Sequence, residues 1–114
     1  DIGGARVWTF ALPEGSSAAD LREVTAAAVK MVAVDIPVVL VAAGVDGAKV
    51  SMLVTVNPTG QSVGLNARDI LAAALPDVDG RGGGKADSAQ GGGSRPEGVE
   101  AALRSARDFL ATRA

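Results

Sequence analysis

The segment VVLVAAGVDGAKVSMLVTV, residues 38–56, determines the fold class of this chain. Residues 38–43 form a continuous apolar run with β-branched residues, which is typical of a strand that is covered on both faces. Residues 49–56 alternate instead, because the even positions from Val50 to Val56 are apolar whereas Ser51 and Thr55 are polar. With residues 44–47 as the turn, the two runs predict a β-hairpin.

A strand and a helix are predicted before this hairpin. Residues 6–12 favour a strand because they contain valine, tryptophan and phenylalanine, and residues 13–15 end it. Ser16 or Ser17 is expected to cap a helix in which Leu21 and Met31 belong to the apolar face. A strand joined through a helix to a second strand implies a parallel crossover.

Two more helices are predicted after the hairpin. Residues 57–60 indicate a turn, Asn66 opens a helix that Pro76 ends, and the last helix starts near Pro96. We therefore predict an α/β (α+β) fold in one domain, residues 1–114. It consists of a small mixed β-sheet covered by three helices, with a glycine-rich loop before the C-terminal helix.

Composition limits the functions that the chain can have. Its 114 residues include no histidine, the commonest general base and metal ligand, and no cysteine, so a thiolate ligand or nucleophile is also missing. Aromatic residues make up 3%, and we expect Trp8 to pack in the core rather than to stack on a base. No apolar run approaches the ~20 residues of a membrane span. We expect a cytoplasmic protein that does not enter membranes.

The segment GRGGGKADSAQGGG, residues 80–93, is the candidate functional site. Eight of the chain's 15 glycines lie between Gly80 and Gly98. From Arg81 to Arg95 three cations oppose one acid, which gives a local charge of +2 in a chain of net charge −2. The segment predicts a loop against which an anionic group docks, and a flexible surface linker is the alternative.

Known phosphate-binding motifs do not account for this segment. A P-loop requires an outer glycine where Asp79 stands and a hydroxyl residue where Ala86 stands. A Ser–Lys pair of Ser88 or Ser94 with Lys85 is conceivable, but nothing nearby would desolvate the lysine. Binding is therefore the preferred interpretation over catalysis, and we expect no cofactor or metal in this chain.

The glycine-rich segment resembles the signature at the end of alanyl-tRNA synthetases. It is followed by Arg95-Pro96-Glu97 and an alanine-rich last helix, as in the globular, DHH-associated part of their C-terminal domain. Two positions depart from that pattern, since Ala86 replaces a usual proline and Ser88 a usual methionine. Related DHH-type phosphoesterases generally carry a histidine where Lys85 stands, which favours the synthetase branch.

The resemblance implies a non-catalytic accessory domain that grips the outer corner of tRNA, in particular tRNA for alanine, and supports aminoacylation and editing. ATP and zinc would bind in other domains. Three cations would neutralise phosphates, six glycines would let RNA approach, and two polar residues would fix the loop or bond to ribose. These residues are Arg81, Lys85 and Arg95; Gly82, Gly83, Gly84, Gly91, Gly92 and Gly93; and Asp87 and Gln90.

Two other functions stay open at this point. The chain could be the substrate-recognition domain of a DHH-type phosphoesterase, or a self-association module that forms a homo-oligomer through its apolar strands or helices.

Overall fold

The computed structural model describes residues 6–12, 15, 18–29 and 35–112. One mixed sheet contains five strands in the order β1-β2-β3-β5-β4. β1 pairs with β2 in parallel, and all other pairs are antiparallel. The strands are β1 (Arg6–Ala11), β2 (Val38–Asp46), β3 (Lys49–Val56), β4 (Arg81–Gly84) and β5 (Ser88–Gly93).

Helices cover both faces of this sheet. They are α1 (Ala18–Val29), the short α2 (Pro58–Ser62), α3 (Ala67–Ala74) and α4 (Val99–Thr112), with 3₁₀ turns at Leu75–Val78 and Pro96–Gly98. The predicted mixed α+β sheet is therefore confirmed, with one short helix more than expected. Within the described residues, no helix is long and apolar enough to cross a membrane.

The central hairpin has the predicted pattern with a shorter turn. Residues 38–43 are buried on both faces, and apolar positions of β3 face apolar positions of β2, as in the pair Val41 and Val54. The predicted turn over residues 44–47 is wrong in its position, because β2 continues to Asp46, which pairs with Lys49. A two-residue turn remains, in which Gly47 takes a φ of +62° that favours glycine.

The core is divided between the two faces of the sheet. The larger part lies between the sheet and helices α3 and α4, and includes Val41, Val54, Ile70 and Ala106. The smaller part lies under α1, where Leu21 contacts Ala42 and Leu53. The predicted caps Ser16 and Ser17, and also Met31, lie outside the described residues.

Trp8 is not a core residue, contrary to the prediction. It lies on the edge strand β1, is 42% exposed, and places its ring 6.3 Å from that of Phe10. An edge strand offers packing partners on one side only, so a large ring there stays half in solvent.

The glycine-rich segment is not a loop. Residues 81–84 and 88–93 form strands β4 and β5, and β5 pairs with β3 from Val50–Gly93 to Thr55–Ser88. Glycine has low strand propensity, which is why the sequence predicted a loop. Here tertiary pairing overrides propensity, because β3 offers a full row of backbone partners and the helices on one face leave little room for side chains.

Asn57 begins a helix and not the predicted turn. Its Oδ1 accepts hydrogen bonds from the backbone N–H of Val38 at 2.9 Å and of Gly60 at 2.8 Å, and its Nδ2 donates to the Ile36 carbonyl at 2.7 Å. The side chain thus caps α2 and at the same time fixes the start of β2. Asn66 caps α3 as predicted, through the N–H groups of Arg68 and Asp69.

We expect Asn57→Ala to lower the free energy of unfolding by about 2–3 kcal/mol, since it removes a cap and leaves buried backbone groups unpaired. The matched variant Asn66→Ala removes a cap alone and should cost about 1 kcal/mol. Urea unfolding of both variants measures the difference. Equal losses would contradict the second role assigned to Asn57.

Candidate nucleic-acid interface

Backbone hydrogen bonds hold the tip of the β4–β5 hairpin in place. The N–H of Lys85 donates to the Ser88 carbonyl, that of Ala67 donates to the Ala86 carbonyl, and that of Val56 donates to the Asp87 carbonyl, each at 2.9 Å. The last two bonds join the tip to the start of α3 and to the end of β3. The protein itself therefore fixes the position of Lys85 and Asp87 at the tip.

Four of the six predicted site glycines have no room for a side chain. A Cβ at Gly91 would lie 2.8 Å from the Arg81 carbonyl oxygen and 3.1 Å from Cδ2 of Leu75. At Gly93 it would meet the carbonyl oxygen and side chain of Val78. Cβ atoms at Gly82 and Gly84 would collide with the backbone of β5. These glycines let the two strands and the segment after α3 pack closely.

The other two glycines face outward. A Cβ at Gly83 would have no atom within 4 Å, and one at Gly92 would meet only the Val50 carbonyl oxygen, at 3.1 Å. Cross-strand pairing places small or polar residues beside them. We call this surface the open face; its residues are Ser51, Thr55, Arg81, Gly83, Ser88, Gln90 and Gly92.

The predicted cations are distributed around the open face and are not gathered at one point. Arg81 lies on the face itself and shares a shallow concavity with Lys49 and Asp79. Lys85 is exposed at the hairpin tip. Neither Arg81 nor Lys85 forms an ion pair within the part of the chain that the structure describes. Both charges are therefore available to an anionic partner.

Arg95 lies past the end of β5, at the opposite end of the hairpin from Lys85 and Asp87. Its Nε is 3.4 Å from Oε1 of Glu97, and both side chains are largely exposed. Exposed ion pairs are weak, so the guanidinium can exchange this partner for another anion. The structure thus brings Arg81, Gln90, Gly83 and Gly92 to one face and leaves Arg95 at its rim.

Sequence reasoning missed Arg22. Its Nη1 donates to Oε1 of Gln90 at 3.2 Å, across 68 positions of sequence. Ser51 and Thr55 were also missed as site residues. The sequence could have indicated them, because Ser51 and Thr55 are polar residues in the otherwise apolar part of β3 and were therefore expected to face solvent.

The aspartates before the glycine-rich segment have structural roles. Asp77 accepts a hydrogen bond from the Ser105 hydroxyl of α4, and Asp79 takes a left-handed conformation, with φ +51°, at the end of the 3₁₀ turn. The cations of α4 are on the other side of the sheet. Arg104 and Arg107 line a cleft with Thr9 of β1, so they do not extend the open face.

This chain matches the model of a known protein family. The model described as "DHHA1 domain" matches residues 5–112, nearly the whole chain. The chain belongs to the DHHA1 domain family.

The DHHA1 domain has close relatives in alanine–tRNA ligases. It is 40% identical over 110 residues to the enzyme of Mycobacterium avium. This match covers 96% of this chain but only 12% of that protein. The match to the enzyme of Latilactobacillus sakei is 47% over 73 residues, or 64% of this chain and 8% of that protein. The chain therefore spans about an eighth or less of the length of these curated relatives.

A solved structure agrees with these relatives. The C-Ala domain of alanyl-tRNA synthetase from Aquifex aeolicus matches with a TM-score of 0.74 and 25% identity, covering 94% of this chain and 90% of that one. The resemblance to the C-terminal domain of alanyl-tRNA synthetases is confirmed, and the synthetase branch is favoured over the phosphoesterase branch.

The two sets of glycines should respond differently to substitution. We expect Gly83→Val to change the free energy of unfolding by less than about 0.5 kcal/mol, because its side chain enters open space. Gly93→Val should cost about 1–3 kcal/mol, because the side chain must displace the backbone of Val78. Thermal unfolding of both variants tests this. If Gly83→Val lowered the free energy of unfolding as much as Gly93→Val, the division of the glycines into two sets would be refuted.

Proposed function

We propose that this DHHA1 domain is the non-catalytic tRNA-binding part of an alanine–tRNA ligase, and that the open face contacts the RNA. The observation that carries the proposal is a surface of mostly small residues, with Gly83 and Gly92 facing outward, beside cations that form no ion pair among the described residues. Arg81 and Arg22 lie on or beside it, and Lys85 stands at one end. A phosphate backbone can approach such a surface closely while the cations neutralise its charge.

The residues of the open face favour contacts with the RNA backbone over base stacking. The three aromatic residues of the chain, Trp8, Phe10 and Phe109, lie on β1 and α4. β1 is three strands away from β5, or about 14 Å at ~4.8 Å per strand. The hydroxyls of Ser51, Thr55 and Ser88 can instead donate to phosphates or bond to ribose 2′-hydroxyls, which distinguish RNA from DNA.

The proposal has a finer version, in which the name of the relatives, alanine–tRNA ligase, supports the choice of tRNA. The partner would be tRNA for alanine, held at its outer corner in the cytoplasm, so that aminoacylation and editing act on one bound molecule. ATP and zinc would bind in other domains of the full enzyme. Because few cations face the RNA and the net charge of the chain is −2, the isolated domain should bind weakly.

Binding of the chain to tRNA for alanine at several salt concentrations tests the function. With three phosphates neutralised, log K should fall with log salt at a slope of about −2, from ~0.7 per phosphate. Lys85→Ala and Arg81→Ala should each weaken binding and reduce that slope by about 0.7. Arg104→Ala, on the other side of the sheet, is the matched control. A flat salt response, or an equal loss from Arg104→Ala, would contradict the proposal.

Self-association is a second candidate, favoured by the edge strand β1. Among the described strands, β1 lies at one end of the sheet order, and Trp8 is 42% exposed on it. Exposed edges with large apolar side chains can pair with a second chain. Sedimentation at two concentrations without RNA should then show a dimer that Trp8→Ser abolishes. A monomer at both concentrations would exclude this function for the chain.

A further inference from the structure

A groove runs beside the open face, between α1 and strands β3 and β5. Its volume is about 370 Å³, within the ~300–1,000 Å³ typical of small-ligand sites. It is continuous with the open face through three shared residues, Thr55, Ser88 and Gln90. The remaining lining residues come from α1 and the strand beneath it: Arg22, Thr25, Ala26 and Leu53.

Thr25 is the first indication that this groove takes a ligand. The residue is 4% exposed, and its Oγ1 is buried without a hydrogen-bond partner among the described residues. Buried hydroxyls in folded proteins are nearly always paired. Because Thr25 also lines the groove, a group that enters it and shifts this side chain slightly can become the partner of the hydroxyl.

The Arg22–Gln90 hydrogen bond is the second indication. It joins α1 to β5 at the groove, measures 3.2 Å, and is exposed. An exposed bond of this length is easily exchanged for bonds to another molecule. Once exchanged, the guanidinium can hold a phosphate through paired N–H groups, and the amide of Gln90 can both donate and accept.

We propose that the groove receives a single unpaired nucleotide of the bound RNA, an inference that rests on the proposed function. Arg22 binds its phosphate, while Gln90 and the hydroxyls of Ser88 and Thr55 bond to the ribose or to the base edge. Leu53 and Ala26 supply the apolar surface against which the base lies. Duplex RNA cannot enter, because its bases are stacked and paired, whereas an unpaired base can be turned outward.

Two blunt-ended RNA duplexes of the same sequence test the inference, one fully paired and one with a single bulged, unpaired adenosine. The chain should bind the second RNA about tenfold more tightly, the value of one or two additional hydrogen bonds with apolar contact. Both affinities are measured at the same low salt concentration.

Ala26→Leu should remove this preference by filling the groove, while binding of the fully paired duplex stays unchanged. Ala27→Leu is the matched control, because Ala27 is an exposed neighbour on α1 that does not line the groove. Thr25→Val should lower affinity for the bulged RNA about threefold to tenfold, as expected for one hydrogen bond. Its melting temperature should not fall, since the hydroxyl makes no bond to any residue that the structure describes.

Three results would overturn the inference. Equal affinity for the two duplexes, or an Ala26→Leu loss that affects both equally, would exclude the groove and leave the open face as the RNA contact. If neither duplex nor tRNA binds at low salt, the proposed function fails together with the groove.

Discussion

The pairing of β5 with β3 is the constraint on which the rest of the structure depends. Side chains alternate between the faces of a strand, so the register sends Gly91 and Gly93 toward α3 and the 3₁₀ turn, and Gln90 and Gly92 toward solvent. A slip of one residue would place Gln90 against the core and would turn Ala89 outward. One register thus determines both the close packing on one side and the open face on the other.

Pattern alone was sufficient for the centre of the fold. Residues 38–56 predicted the two strands of the hairpin. A strand buried on both faces is apolar throughout, whereas a strand buried on one face alternates between apolar and polar residues. The cap at Asn66 was also predictable, since its chemistry is local. Asn57 looked like a turn residue because its most informative bond, to the N–H of Val38, crosses from one element to another.

The candidate site was predictable in its residue types and not in its geometry. Six glycines pointed to close approach, but sequence cannot say whether the approaching surface is RNA or the protein's own helix. The structure divides them, because four would place a Cβ into protein atoms while Gly83 and Gly92 lie outward. Arg22 could not be found at all, since its contact with Gln90 depends on how α1 lies across the sheet.

Gln90 connects the two parts of the proposed RNA surface. Its backbone pairs with Leu53 and Gly83, and its side chain meets Arg22 at the groove. A phosphate backbone lying along the open face and a nucleotide entering the groove would both contact this residue. Because Oε1 of Gln90 accepts from Arg22 in the free protein, an RNA group that takes this acceptor would release Gln90 from Arg22. That release frees the guanidinium at the same moment, so a single exchange of hydrogen bonds prepares both the open face and the groove.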